Sequence, residues 1–275
     1  MPNFIVGARL HDYGKGTPDE LFGQVSADGF AAAQLAYKKC VPTVKSYADV
    51  TDALVAETVA AEKAHHIQVA VLGTYVELAI NDESRLCNVA DFKSQLAVCK
   101  ALGAGCIGTE TTAMSKQPAG TTRAQAQELL CRSLAEILPT AEALGVTVGI
   151  EPVTYHSMNS AAATRQILDT MRSPNLKVIF DMSNLVSAEN VAEQDRIWYD
   201  MGTLLGDQIV AVHFKGQAFA PDGSLLHTSL EESRTDYAGA FAMLRQLPQP
   251  ALPVLREEAV PARAASDIAF MKGFF

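Results

Sequence analysis

Short apolar runs alternate with longer amphipathic stretches from one end of the chain to the other. Runs rich in β-branched residues predict strands at 4–10 (FIVGARL), 30–37 (FAAAQLAY), 68–74 (QVAVLGT), 106–110 (CIGTE), 146–152 (VTVGIEP), 176–182 (LKVIFDM), 209–215 (IVAVHFK) and 253–258 (PVLREE). The intervening stretches carry helix punctuation. Thr17 precedes Pro18, Asp19 and Glu20, which supplies an N-cap, a first-turn proline and early acidic residues. Gly103, Gly145 and Gly206 follow helical runs, where a left-handed residue ends a helix. Eight strands with helices between them predict an α/β fold, a single (β/α)8 barrel, as one domain over 1–275. A doubly wound open sheet fits less well, because no GxGxxG follows the first strand.

Composition narrows the partners. The chain has 275 residues, close to the ~250 of one such barrel. A hydrophobic fraction of 48% with 19% charged residues is that of a globular enzyme-sized protein. A net charge of −9 disfavours a surface that follows a phosphate backbone, so nucleic acid is not expected. No apolar run approaches the ~20 residues of a membrane span, and the start of the chain lacks the basic residues of a secretory signal, which leaves the cytoplasm as the expected location. Five cysteines with no CxxC pair give neither a disulfide framework nor a thiolate zinc site. The sequence leaves homo-oligomerisation open.

In a (β/α)8 barrel the active site assembles at the C-terminal ends of the strands, so a polar residue closing an apolar strand is the signal to seek. The last four predicted strands close on Glu151, Asp181, His213 and Glu257. Alternation supports the assignment. It sends Val146, Val148 and Ile150 toward the helices and Glu151 toward the axis; Val178 and Phe180 out with Asp181 in; and Val210 and Val212 out with His213 in. The last strand is ambiguous, with Glu257 preferred over Glu258. Three carboxylates gathered without a cation would repel, whereas one divalent ion keeps them ionised. Oxygen ligands with one imidazole suit Mn²⁺, Mg²⁺ or Co²⁺, and are compatible with Zn²⁺.

GIEPV at 149–153, FDMSN at 180–184, VHFKG at 212–216 and VLREE at 254–258 give the chain a resemblance to the xylose isomerase-like barrel superfamily, in its sugar and sugar-phosphate isomerase and epimerase branch. The resemblance implies that Glu151, Asp181, His213 and Glu257 hold the metal and that Glu151 and Glu257 exchange protons with substrate carbon through an enediolate. Two departures are plain. Asn184 stands where ketose 3-epimerases of the superfamily have a histidine, and no arginine follows His213 closely. The His213 and Lys215 pair instead resembles inosose dehydratases, which makes a metal-dependent lyase the alternative reaction.

By position, His11, Glu110, His156, Asn184 and Lys215 are candidate contacts to a small carbohydrate substrate, while Tyr37, Lys38, Tyr75, His227 and Arg234 read as rim, surface or packing residues. The long segment after the seventh strand, with no evident structure of its own, is expected to act as a lid or binding loop. His65 and His66 close a helix at the opposite end of the barrel. A trinuclear phosphodiesterase like endonuclease IV fits poorly, since the region holding Asp222 and His227 contains no DxH. A non-catalytic sugar-binding barrel is a further alternative, disfavoured by the complete ligand set.

Overall fold

A computed structural model describes residues 1–275. The strands are β1 (Asn3–Arg9), β2 (Ala32–Leu35), β3 (Gln68–Gly73), β4 (Cys106–Glu110), β5 (Val148–Glu151), β6 (Leu176–Asp181), β7 (Ile209–Phe214), β8 (Gly216–Phe219), β9 (Leu225–Thr228) and β10 (Ala251–Arg256). The helices are α1 (Pro18–Ala27), α2 (Tyr37–Cys40), α3 (Asp52–His65), α4 (Ser84–Leu102), α5 (Arg123–Leu144), α6 (Ala161–Met171), α7 (Gln194–Leu205), α8 (Tyr237–Leu244) and α9 (Ala264–Lys272). Eight strands close a barrel in the order β1-β10-β7-β6-β5-β4-β3-β2, every pairing parallel. This is the expected (β/α)8 architecture. No helix is long and apolar enough to cross a membrane.

Local chemistry accounts for several boundaries. Thr17 caps α1 in a capping box with Glu20, with Pro18 in the first turn. Gly103 and Gly145 adopt φ of 66° and 69° after α4 and α5, as a left-handed stop requires. Gly206 does not: its φ is −53°, and the chain runs on into a 3₁₀ turn. There glycine answers to packing, because a Cβ would lie 2.7 Å from Leu247. The second strand is shorter than its apolar run, since Tyr37 already begins α2, with its hydroxyl 2.7 Å from that of Thr58 in the helix layer.

The main core lies between barrel and helices, and the barrel interior holds only a thin apolar plug of Ala32, Ala70, Val71, Cys106, Ile179, Ala211 and Leu255. Small residues make room for the large ones: a Cβ on Gly108 or Gly149 would fall 2.5 or 2.8 Å from Ile179. Val148, Ile150, Val178, Phe180 and Val212 face the helix layer as alternation predicts. Val210 does not, packing instead against the interior plug. The cause is a register shift in the β6–β7 ladder, where Val178 pairs with Ile209 but Ile179 pairs with Ala211. Ala211 and His213 keep the axis side that alternation gives them.

The segment after β7 also differs from expectation. It is not structureless: β8 and β9 form an antiparallel hairpin from Gly216 paired with Thr228 to Phe219 paired with Leu225. His227 and Arg234 are exposed there, as surface residues. Lys38 likewise points away from the axis, over the ring of Tyr47. His66 caps α3 in a left-handed conformation, and His65 Nε2 lies 2.8 Å from Asp19 on α1.

Candidate metal centre

Parallel pairing sets the candidate residues side by side before any side chain is considered. Glu110 is in register with Glu151, and Asp181 with His213. Glu257 follows β10 directly, its N–H donating to the carbonyl of Phe214 at 3.0 Å. The phase of β10 is thereby resolved. Leu255 and Glu257 point inward, while Arg256 turns to the helix layer and pairs with buried Asp267 at 2.7 Å. Glu258 leaves the strand with φ 54° and meets Arg9 at 2.8 Å.

The donor atoms of Glu151, Asp181 and His213 all lie within 4.8 Å of one another, and all three residues are buried. Asp181 is held by two backbone N–H groups, from Ser183 and Asn184, each 2.8 Å from Oδ1. Asn184 Nδ2 donates to Glu151 Oε1 at 2.5 Å. His213 Nδ1 lies 3.1 Å from Glu151 Oε2 and 3.5 Å from Glu257 Oε1, yet neither ring nitrogen makes a directed hydrogen bond. A buried imidazole without a partner beside two carboxylates fits a divalent cation, which would take a ring nitrogen and carboxylate oxygens together. Glu257 stands just outside this group of three. Its carboxylate faces Lys215 Nζ at 3.5 Å and Arg9 at 3.7 Å.

Lys215 is the resident cation, with Nζ 2.8 Å from Asp181 Oδ2. Burial works against its charge, but Asp181, Glu257 and Glu151 outweigh burial and hold its pKa well above the ordinary value. The same balance raises His213 to about 9, burial opposing and Glu257 and Glu151 prevailing. Glu257 moves the other way: burial disfavours its charge, yet His213, Lys215 and Arg9 draw its pKa down to about 2. Half-buried Glu110, pushed up by burial and by Glu151, reaches about 8. The centre thus combines a firmly ionised carboxylate with a firmly charged ammonium.

Of the other expected contacts, Asn184 and Lys215 reach the centre directly, and Glu110 lines it. His156 is buried behind Glu110, with Nε2 3.8 Å from its carboxylate. His11 sits at the rim, edge-on to the Tyr75 ring at 5.7 Å between centroids. Tyr75, read from sequence as a rim or packing residue, lines the cavity and receives a hydrogen bond from Gln34 Nε2 at 3.2 Å. Gln34, Thr109 and Arg9 were not singled out by sequence, although all occupy strand ends. Gln34 is the one polar residue of FAAAQLAY, and Arg9 closes β1; the rule that found Glu151 applied to them equally.

The fold has close counterparts. It resembles a D-tagatose 3-epimerase-like protein with a TM-score of 0.78 at 13% identity, covering 98% of this chain and 96% of that one. It is similar to a 3-keto-D-glucoside 4-epimerase from E. coli, with a TM-score of 0.71 at 17% identity, over 98% and 100% of the two chains. A third counterpart is the IolI protein with a bound zinc atom, with a TM-score of 0.76 at 14% identity, over 98% and 96%. At these identities the likeness is one of fold. No curated protein matches the sequence. The sequence pattern that describes the xylose isomerase-like TIM barrel matches residues 22–273, nearly the whole chain, and the protein belongs to that family.

Proposed function

We propose that the protein is a divalent-metal-dependent isomerase or epimerase of a sugar or sugar phosphate, working by proton abstraction beside a carbonyl. The observation that carries this reading is the pair of carboxylates, Glu151 and Glu257, that both face His213 Nδ1, at 3.1 and 3.5 Å. Glu151, Asp181 and His213, with Glu257 beside them, would hold the ion. Bound there, a divalent ion polarises a carbonyl and its neighbouring hydroxyl and acidifies the C–H between them.

The remaining work falls to the protein's own groups. Glu257, kept ionised by Lys215 and Arg9, is the base that takes a proton from substrate carbon; Glu151 returns one from the other side. Lys215 offers a fixed positive charge to oxygen as negative charge develops on it. Asn184 orients Glu151 through its hydrogen bond to Oε1. Glu110 and His156 line the cleft beside the centre and, with His11 near Tyr75, would contact substrate hydroxyls. The epimerase counterparts of the fold support a carbohydrate substrate, and the zinc-bound one supports an ion.

A lyase is the second reading. Lys215 lies in the His-x-Lys arrangement, 2.8 Å from Asp181, where its ammonium could assist departure of a β-hydroxyl after the same abstraction. Product mass separates the two, because dehydration loses water. The decisive experiment incubates the protein with Mn²⁺, Mg²⁺, Co²⁺ or Zn²⁺ in D₂O with ketoses, sugar phosphates and inososes, followed by NMR and mass spectrometry. Deuterium at a carbon beside the carbonyl, without mass loss, is expected. Absence of carbon-bound exchange with every substrate and metal would sink the proposal.

A further inference from the structure

The centre itself is small. The hollow lined by Glu151, His213, Glu257, Gln34 and Thr109 measures about 20 Å³, room for an ion or a water rather than a ligand, whose pockets ordinarily run to ~300–1,000 Å³. An outer cleft of about 470 Å³ adjoins it, and Tyr75, Thr109 and Glu110 line both. A substrate with its reacting carbon at the carboxylates is too large for the hollow, and this cleft is the space that adjoins it.

Glu110 and His156 apart, the outer cleft is built of residues to which the proposed chemistry gives no role. Tyr155 forms one side, with 53% of its surface exposed on a firmly tied loop. Its carbonyl accepts from the Met114 N–H at 3.0 Å, and the next N–H, of His156, donates to Val153 at 2.9 Å. The Tyr155 ring is held edge-on by His156, at 4.8 Å and 79°. Across the cleft, the Tyr75 ring already carries the Lys39 ammonium 3.5 Å from its centroid, so Tyr155 is the platform still free. Both ammonium groups of the cleft are already engaged. Lys116 is ion-paired with Glu77, and Lys39 lies over the Tyr75 ring. A phosphate there would have to compete with Glu77 for Lys116.

Resting on the isomerase or epimerase reading, we propose that this cleft is a subsite for a second, uncharged sugar ring stacked on Tyr155, making the substrate a glycoside rather than a free or phosphorylated monosaccharide. A pyranose presents apolar C–H faces to an aromatic ring and hydroxyls to the alternating donors and acceptors of Lys39, Glu77, Ser115 and Lys116.

The test measures binding and exchange side by side on the full chain loaded with Mg²⁺ or Zn²⁺. The probes are D-fructose, fructose 6-phosphate and the glucosyl-fructose disaccharides isomaltulose, turanose and leucrose. At least one disaccharide is expected to bind about tenfold or more tightly than D-fructose, with Tyr155→Ala erasing most of that gain and Tyr155→Phe keeping it. If no disaccharide gains over D-fructose, if nothing binds, or if fructose 6-phosphate binds most tightly, the subsite is overturned. Exchange of D-fructose protons in D₂O without a disaccharide gain would overturn the subsite and leave the proposed chemistry standing. A disaccharide gain without exchange on any probe would do the reverse.

Discussion

Lys215 places its ammonium 2.8 Å from Oδ2 of Asp181, a buried ion pair inside the group of residues that would hold a metal. Removing one partner of such a pair leaves a buried charge without compensation and costs about 3 kcal/mol or more. Lys215→Met is therefore expected to lower the stability of the metal-free protein and to enlarge the stabilisation given by a divalent cation, since Asp181 then loses its ion-pair partner and Glu257 keeps only His213 and Arg9. Thermal unfolding with EDTA and with Mn²⁺, Mg²⁺ or Zn²⁺ checks both halves. An unchanged metal response in the variant would show that Lys215 and the ion do not answer to the same carboxylates.

His213 supplies the imidazole whose two nitrogens make no directed hydrogen bond. A cation present at a hundred times its dissociation constant stabilises the fold by about 2.7 kcal/mol, which corresponds to roughly 5–10 °C for a chain of this size. His213→Ala is expected to abolish that shift and the bound metal in elemental analysis. Metal content equal to that of the unsubstituted protein would remove His213 from the ligand set.

Glu257 stands outside the close group of three and faces Lys215 and Arg9. Glu257→Gln keeps the shape and one acceptor but cannot take a proton. It is expected to retain bound metal while carbon-bound exchange falls by roughly 10²–10⁴-fold. Parallel loss of metal and exchange would make Glu257 chiefly a ligand.

The fold and the centre were legible in the sequence to different depths. Strand count, barrel class and the inward phase of Glu151, Asp181 and His213 follow from period-two alternation, which backbone geometry enforces. Val210 broke the alternation because a register shift between neighbouring strands leaves no mark in one strand's own pattern. Gly206 was misread because a glycine required by a close side-chain approach looks the same as one required by a left-handed stop. The hairpin of β8 and β9 went unseen because two four-residue strands, GQAF and LLHT, are too short to show a period. Arg9 and Gln34 were within reach, but a lone polar residue on a strand end says nothing of its partner until the barrel closes β1 onto β10.

Arg256 turns from the barrel to Asp267 of α9, both almost fully buried, with Nε 2.7 Å from Oδ2. This pair ties the last strand to the last helix on the far side from the carboxylate centre. Asp267→Asn is expected to destabilise the fold by about 3 kcal/mol while leaving the metal-induced shift intact. Urea unfolding with and without the cation separates the two effects. A loss of metal response equal to that of His213→Ala would mean that the pair acts on the site through Glu257.

His156 contributes a pH dependence whose sign follows from burial. Its pKa falls from 6.5 to about 4, burial outweighing the pull of Glu151, so the folded protein keeps the ring neutral where the unfolded chain takes up a proton. Stability from this group is complete above about pH 6.5 and is lost as pH falls toward 4, by up to about 3 kcal/mol. His156→Asn removes the titrating ring, so the variant's urea stability should decline less between pH 7 and pH 4.5 than that of the unsubstituted protein. Curves that fall in parallel would place the proton uptake on other groups.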